Sequence, residues 1–234
     1  MPMDCWICGD PAHSGEHMFK ASDLRSRFGP VNPDKPLYLH TPERRNIPVR
    51  GIKSGLLKST APMCRRCNNQ RTQQHDMAWQ RLADYIGARG APLRANERIR
   101  LRKIFPGQVR SSMLGVHLYF AKALGCKLAE GKAPFDLSRL AHCILHNQPH
   151  PYLFIAISPP FRDKTRSLVN THVQALDDKL TGKTVYATWF YCLDHLNVRV
   201  VYAEPEHQNR AGMFGTWHPS APSKYLHVVR NPAD

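Results

Sequence analysis

Two cysteine pairs, Cys5-x2-Cys8 and Cys64-x2-Cys67, carry the plainest chemical signal in this chain of 234 residues. Zinc takes four soft or borderline ligands in a tetrahedron, and one Cys-x2-Cys knuckle brings two thiolates to the same ion. Two knuckles complete a four-thiolate shell with no open position, so such a zinc is scaffold rather than catalyst. The 55 residues between the pairs are tolerable because loop-closure entropy grows only logarithmically with length. The alternative is two unrelated pairs of reduced thiols. One shared ion would pin the stretch "GEHMFK" beside "CNNQ" and bring Glu16 and His17 to Asn68 and Asn69. Those residue types suit phosphodiester hydrolysis, which needs an activated water, a base for its proton and a cation at the phosphorus. A neutral histidine is the right base near pH 7. A carboxylate and an amide oxygen are hard ligands for Mg²⁺ or Mn²⁺. His17 is therefore the candidate base, and Glu16 and Asn68, with Asn69 as the fallback, are candidate ligands of a catalytic divalent ion.

Each of these residues also has a plainer reading. The plainer reading of His17 is a surface histidine or one that only supports the site, and that of Asn68 is a helix cap or first-turn residue. Neighbouring strand residues point to opposite faces, an obstacle to Glu16 and His17 acting on one phosphate. Lys20, Arg65, Arg66 and Arg71 are candidate phosphate contacts, aided by the positive end of a helix. His75 lies seven residues beyond Asn68, roughly 10 Å along a helix at about 1.5 Å per residue, too far for the same ion unless the helix starts later. Asp76 is either a helix-start residue or an outer partner of the site, and His13 decorates a loop.

The stretches "CWICG…GEHMFK" and "MCRRCNNQ" resemble the zinc-bearing branch of the HNH, or His-Me finger, endonucleases over roughly residues 5–76. The resemblance implies a ββα-metal module. Its acidic-His dipeptide, here Glu16-His17, ends the first strand at an irregular point where both side chains approach one phosphate. Its helix-start asparagine, here Asn68, ligates the metal. It also implies DNA as substrate, RNA not being excluded, and a bacterial or phage setting such as restriction, defence or homing. The chain departs from the pattern in one place. Where family members carry an asparagine that orients the catalytic histidine, this sequence has Ser59 and Thr60, with Asn46 much earlier. A hydroxyl, a backbone carbonyl or Asn46 remains open as the orienting group, as does weakened catalysis.

The elements that must hold these residues are partly legible. Residues 29–50 contain five prolines, which excludes a helix and predicts an extended excursion. Residues 51–63 read as a short hairpin and 65–86 as a helix ended by Gly87, Gly90 and Pro92. The basic stretch 94–110, with six basic residues and one acid, reads as a helix or strand with a solvated face, or as a phosphate-tracking connector. Helices are expected at 111–129, 136–146 and 165–180. A strand is expected at 151–158, a hairpin at 184–193 and 198–205, and a last strand at 224–229. The fold class is α+β. The expected parts are an HNH-like zinc module over 1–92, a connector over 93–110, and a helix-plus-antiparallel-sheet domain over 111–234 serving target recognition, homodimerisation or a partner.

Lys plus Arg number 33 against 18 Asp plus Glu, a net charge of +15. A chain this basic is expected to meet a polyanion, nucleic acid first. Residues 1–110 hold 20 basic and 9 acidic side chains and residues 111–234 hold 13 and 9, so the half with the cysteine knuckles should face it. With no run of eighteen apolar residues and no signal pattern, the chain is expected in the cytoplasm and off the membrane. A reducing compartment favours metal over disulfide for the knuckles. Cys126, Cys143 and Cys192 read as buried small hydrophobes. A zinc-stabilised nucleic-acid-binding protein without catalysis is the rival reading.

Overall fold

The computed structural model describes residues 3–41, 43–161, 168–221 and 223–231. It is a mixed α and β protein built around one long helix. Helix α4, Val109–Glu130, is buried on nearly every side, from Met113 through Leu118, Phe120 and Leu124 to Leu128. A helix that is apolar all round has to sit inside. Helix α2, Gln73–Gly87, and α5, Ser138–His146, pack against it. Close approach needs small residues: a Cβ on Gly115 would meet that of Ala78 on α2 at 2.8 Å, and one on Gly125 would run into the indole of Trp6.

On the other side lies a five-stranded sheet. Its strands are β4 (Leu153–Ser158), β5 (Val169–Asn170), β6 (Gln174–Asp177), β7 (Thr184–Cys192) and β8 (Asn197–Ala203). The order is β4-β8-β7-β5, with β6 also on β7, and every ladder is antiparallel. The expected 184–193/198–205 hairpin is therefore present, as is the expected strand at 151–158. The free edge of β4 is covered by bridges from Trp217 and Val228, which removes an exposed row of backbone groups. The buried apolar cluster runs without a gap from Cys5 through α2 and α4 to Val228.

Several expectations need correction. No helix occupies the described part of 165–180; residues 168–177 form β5 and β6, and 165–167 lie outside the described residues. The reason is tertiary. Thr171 Oγ1 accepts the Phe190 N–H at 3.0 Å and Asn170 Oδ1 accepts the Trp189 indole N–H at 2.8 Å, so this segment satisfies its polar groups on β7. Residues 51–63 do not form their own hairpin. A 3₁₀ turn at Gly55–Leu57 leads into an extended stretch that pairs with residues 13–18 instead. The proline-rich excursion has no helix in its described part but does hold a small hairpin, β1 (Leu37–Leu39) with β2 (Ile47–Val49), turned by Asn46 at φ +57°; Pro42 lies outside the described residues. The helix expected over 65–86 is divided into a π-helical turn at Arg66–Arg71 and then α2. A short helix, α1 at Ala21–Phe28, had no counterpart in the sequence reading. The basic stretch 94–110 contains both element types: strand β3, Arg98–Arg100, paired with the last strand β9, Tyr225–His227, then the single turn α3, Leu101–Ile104.

Candidate functional site

Residues 13–18 and 57–63 run antiparallel. The N–H groups of His13 and Ser14 reach Met63 O at 3.1 and 2.9 Å, Ser59 N–H donates to Glu16 O at 2.7 Å, and Met18 N–H donates to Leu57 O at 2.8 Å. His17 thereby lies opposite Lys58. The π-helical turn and α2 follow directly, so the local order is extended segment, extended segment, helix.

The Sγ atoms of Cys5, Cys8, Cys64 and Cys67 all lie within 4.8 Å of one another, and those of Cys8 and Cys64 are 3.6 Å apart. Zinc–sulfur bonds of ~2.3 Å give a tetrahedron edge of about 3.8 Å, so the cage has the size of one ion. The first knuckle turns at Gly9, whose φ of +78° is the left-handed region that glycine enters freely. In the second, Cys67 N–H donates to Cys64 Sγ at 3.4 Å and Arg71 Nη1 donates to Cys67 Sγ at 3.0 Å. These donors offset the charge that four thiolates would gather around a metal such as zinc. Among the described residues this is the one grouping of three or more His, Cys, Asp or Glu side chains close enough to share an ion. Cys126, Cys143 and Cys192 are buried elsewhere.

The clamp brings Asn68 to the first extended segment. Its Nδ2 donates to Ser14 Oγ at 2.7 Å and to Gly15 O at 3.1 Å, one residue before Glu16. That fixes the amide with Oδ1 on the other branch, the atom suited to a hard cation. Glu16 turns inward, where its Oε2 lies 3.1 Å from Nζ of Lys122, a fully buried lysine on α4. The same ammonium is 2.9 Å from Asp76 Oδ1 and 3.3 Å from Thr72 Oγ1. Burial pushes the Glu16 carboxyl up while Lys122 pulls it down. Two carboxylates around one ammonium hold Lys122 charged, its pKa raised against the opposing effect of burial.

The charges that act on His17 are those of Lys58 and Arg25, whereas Lys122, Asp76 and Lys20 act on Glu16. Burial, then the neighbouring charges of Lys58 and Arg25, push the His17 pKa below the ordinary histidine range, which favours the neutral ring. Its Nδ1 is shielded from solvent and has no hydrogen-bond partner among the described residues. The groups open as its orienting partner are engaged elsewhere. Ser59 Oγ and Thr60 Oγ1 both donate to the carboxylate of Glu130, at 3.1 and 3.0 Å, and Asn46 sits in the β1–β2 turn.

The remaining candidates fall in several places. Lys20 donates from Nζ to the Asp76 carbonyl at 2.5 Å, close to the Glu16 cluster. Arg65, Arg66 and Asn69 are exposed, whereas Arg71 is engaged by Cys67. His75 is buried with its Nε2 3.1 Å from Asn147 Oδ1, facing the end of α5. His13 is exposed and bonded to Pro11 O. Asp76 joins the site through Lys122. The C-terminal sheet also positions the site: Asn170 Nδ2 holds Met18 O at 2.6 Å, and Tyr191 OH donates to the buried Asp23 of α1 at 2.7 Å.

Comparison with protein-family models, curated proteins and solved structures finds no match. The functional reading therefore rests on the chemistry of these residues. Two of them escaped the sequence reading, Lys122 and Glu130. The signal for the first was a lone ammonium inside "LYFAKALGC", where every neighbour is apolar or small.

Proposed function

We propose that this chain is a metal-dependent endonuclease of the HNH type that hydrolyses phosphodiester bonds in DNA, with RNA sharing the same chemistry. The observation that carries the reading is the contact of Asn68 with Ser14 and Gly15. It sets a helix-start amide beside the Glu16-His17 dipeptide in a strand–strand–helix unit clamped by four cysteine sulfurs. In this reading His17, in its neutral form, takes the proton of the attacking water. Asn68 Oδ1 and Glu16 Oε1, the oxygen that Lys122 leaves, are oxygen donors of the kind a hard divalent ion takes, with exposed Asn69 as the fallback. Mg²⁺ or Mn²⁺ bound there would supply charge stabilisation at the phosphate. Lys20, Arg65 and Arg66 hold flanking phosphates, while the zinc cage keeps the two segments in register.

One observation favours a second reading, zinc-stabilised nucleic-acid binding without hydrolysis. The Glu16 carboxylate is already neutralised from inside by Lys122, a charge balance that needs no metal. Incubating the zinc-loaded protein with supercoiled plasmid and Mg²⁺ or Mn²⁺ separates the two. The nuclease reading expects nicking that falls by about 10²–10⁴ in His17→Ala, the usual worth of a general base, with DNA binding retained. Absence of nicking by the parent protein with either ion, or equal nicking by the variant, overturns it in favour of binding alone.

A further inference from the structure

The basic stretch 94–110 is not used by the site above, yet it is folded and its charges are sorted. In the β3/β9 ribbon Arg98 faces His227, Ile99 faces Leu226 and Arg100 faces Tyr225. Ile99 and Leu226 are buried, so strand alternation turns Arg98, Arg100 and His227 outward, with Tyr225 half-buried among them. The Arg98 guanidinium lies 5.4 Å from the Tyr225 ring centroid, which braces it without neutralising it. In α3, Leu101 and Ile104 point in while Arg102 and Lys103 are exposed. Leu101 N–H donates to Lys224 O at 3.0 Å, which puts another exposed lysine at the same corner. The acid of this stretch, Glu97, is ion-paired with Arg89. None of Arg98, Arg100, Arg102 or Lys103 has a carboxylate partner among the described residues.

This corner connects with the candidate site. The exposed face of α2 forms a shallow cleft lined by Lys20, Met77, Gln80, Arg81, Asp84 and Tyr85, in which the Asp84 carboxylate accepts from Gln80 Nε2 at 3.1 and 3.0 Å. Lys20 opens it beside Asp76, and the Arg81 guanidinium lies 5.9 Å from the ring centroid of Phe105, just after α3. Arg81 therefore stands between the Lys20 cleft and the end of α3, the turn that carries Arg102 and Lys103. The ribbon is fixed to the body, since Val229 N–H donates to Ile157 O of β4 at 2.8 Å. Unpaired cations on a rigid two-stranded ribbon suit fixed, regularly spaced phosphates.

We propose that the β3/β9 ribbon with α3 is a second nucleic-acid contact, which binds the backbone phosphates of a duplex extending from the candidate site along α2. The assignment rests on the nucleic-acid reading given above but not on hydrolysis. The test is binding of the zinc-loaded protein to a fluorescent 30-base-pair duplex without added divalent ions, across a range of salt. The parent is compared with Arg98→Gln, Arg100→Gln, Arg102→Gln, Lys103→Gln combined, and zinc content and thermal midpoint confirm that the variant is folded. The combined variant is expected to bind about a hundredfold more weakly near 0.1 M salt, with a salt slope shallower by about 2 to 4, one unit of slope per lost phosphate contact. Unchanged affinity and slope overturn the ribbon, whether or not the parent nicks DNA. Ribbon-dependent duplex binding by a parent that cuts nothing leaves the ribbon standing and removes the hydrolytic reading. Phosphatidylserine vesicles are the control: a parent that binds them through these residues and ignores the duplex also overturns the proposal.

Discussion

Lys122 is the residue on which the candidate site's electrostatics turn. It is fully buried and touches Glu16, Asp76 and Thr72, so one ammonium joins the first extended segment to α2 through α4. Removing one partner of a buried pair leaves charge without compensation, a loss of about 3–5 kcal/mol. Lys122→Met is expected near the lower end, because Glu16 and Asp76 keep some solvent contact. Denaturant unfolding measures this, and adding Glu16→Gln should restore part of the loss by removing one of the stranded charges. No restoration would mean that Lys122 contributes through packing alone. For His17 the relevant quantity is its depressed pKa. If it is the base, nicking should rise with pH through a value below the ordinary histidine pKa and then level off. A rise centred above that value would remove the ring from the proton transfer.

At the scale of elements, the first cysteine knuckle and α4 are packed through a glycine. Gly125 leaves the space in which the indole of Trp6, inside the Cys5–Cys8 knuckle, lies against the helix backbone. Gly125→Ala puts a methyl group into that ring. Overpacking of this kind costs about 1–3 kcal/mol, and the strain falls on the knuckle. The expected result is a lower thermal midpoint together with faster loss of zinc to a colorimetric chelator. A lower midpoint with unchanged zinc release would show that the knuckle does not depend on this contact. The same scale explains the failed helix at 165–180. A segment flanking the edge of β7 gains ladder bonds and the side-chain bonds of Asn170 and Thr171, which outweigh local helical pattern.

At the scale of the whole molecule, the buried cluster joins the cysteine cage to the sheet, so metal loss should not stay local. Chelation of zinc, or Cys67→Ser, is expected to lower the unfolding midpoint of the entire chain in one transition, with one equivalent of zinc released. Two separate transitions, the sheet melting as before, would contradict this. The histidines His117, His150 and His218 tie α4 to β4 and the 217–218 loop: His150 N–H donates to His117 Nε2 at 3.0 Å and His218 Nε2 lies 2.9 Å from His150 O. Burial, with Arg139 and His218 adding to it, lowers the His150 pKa to about 4. The folded value is below the unfolded one, so the stabilisation is complete above pH ~6.5 and is lost as pH falls towards 4, up to about 3 kcal/mol. His150→Asn keeps an acceptor for the Tyr152 N–H and should make the fall in stability over that window shallower, the slope that is left belonging to other buried histidines such as His117, measured by denaturant unfolding at fixed zinc.

The sequence by itself determined what is local. The Cys-x2-Cys spacing, the two strand runs that form β7 and β8 and the helix expected over 111–129 are each set by neighbours within a few residues, and each has its expected place in the structure. The spacing also announced that distant segments meet at one cage. What only the tertiary structure decided is what else meets there. The partnering of Glu16 with Lys122, the diversion of Ser59 and Thr60 to Glu130, and the pairing of β3 with β9 all join segments far apart in the chain. Periodicity carries no record of such encounters, because a buried charge selects its partner by position in the folded core and not by distance along the sequence.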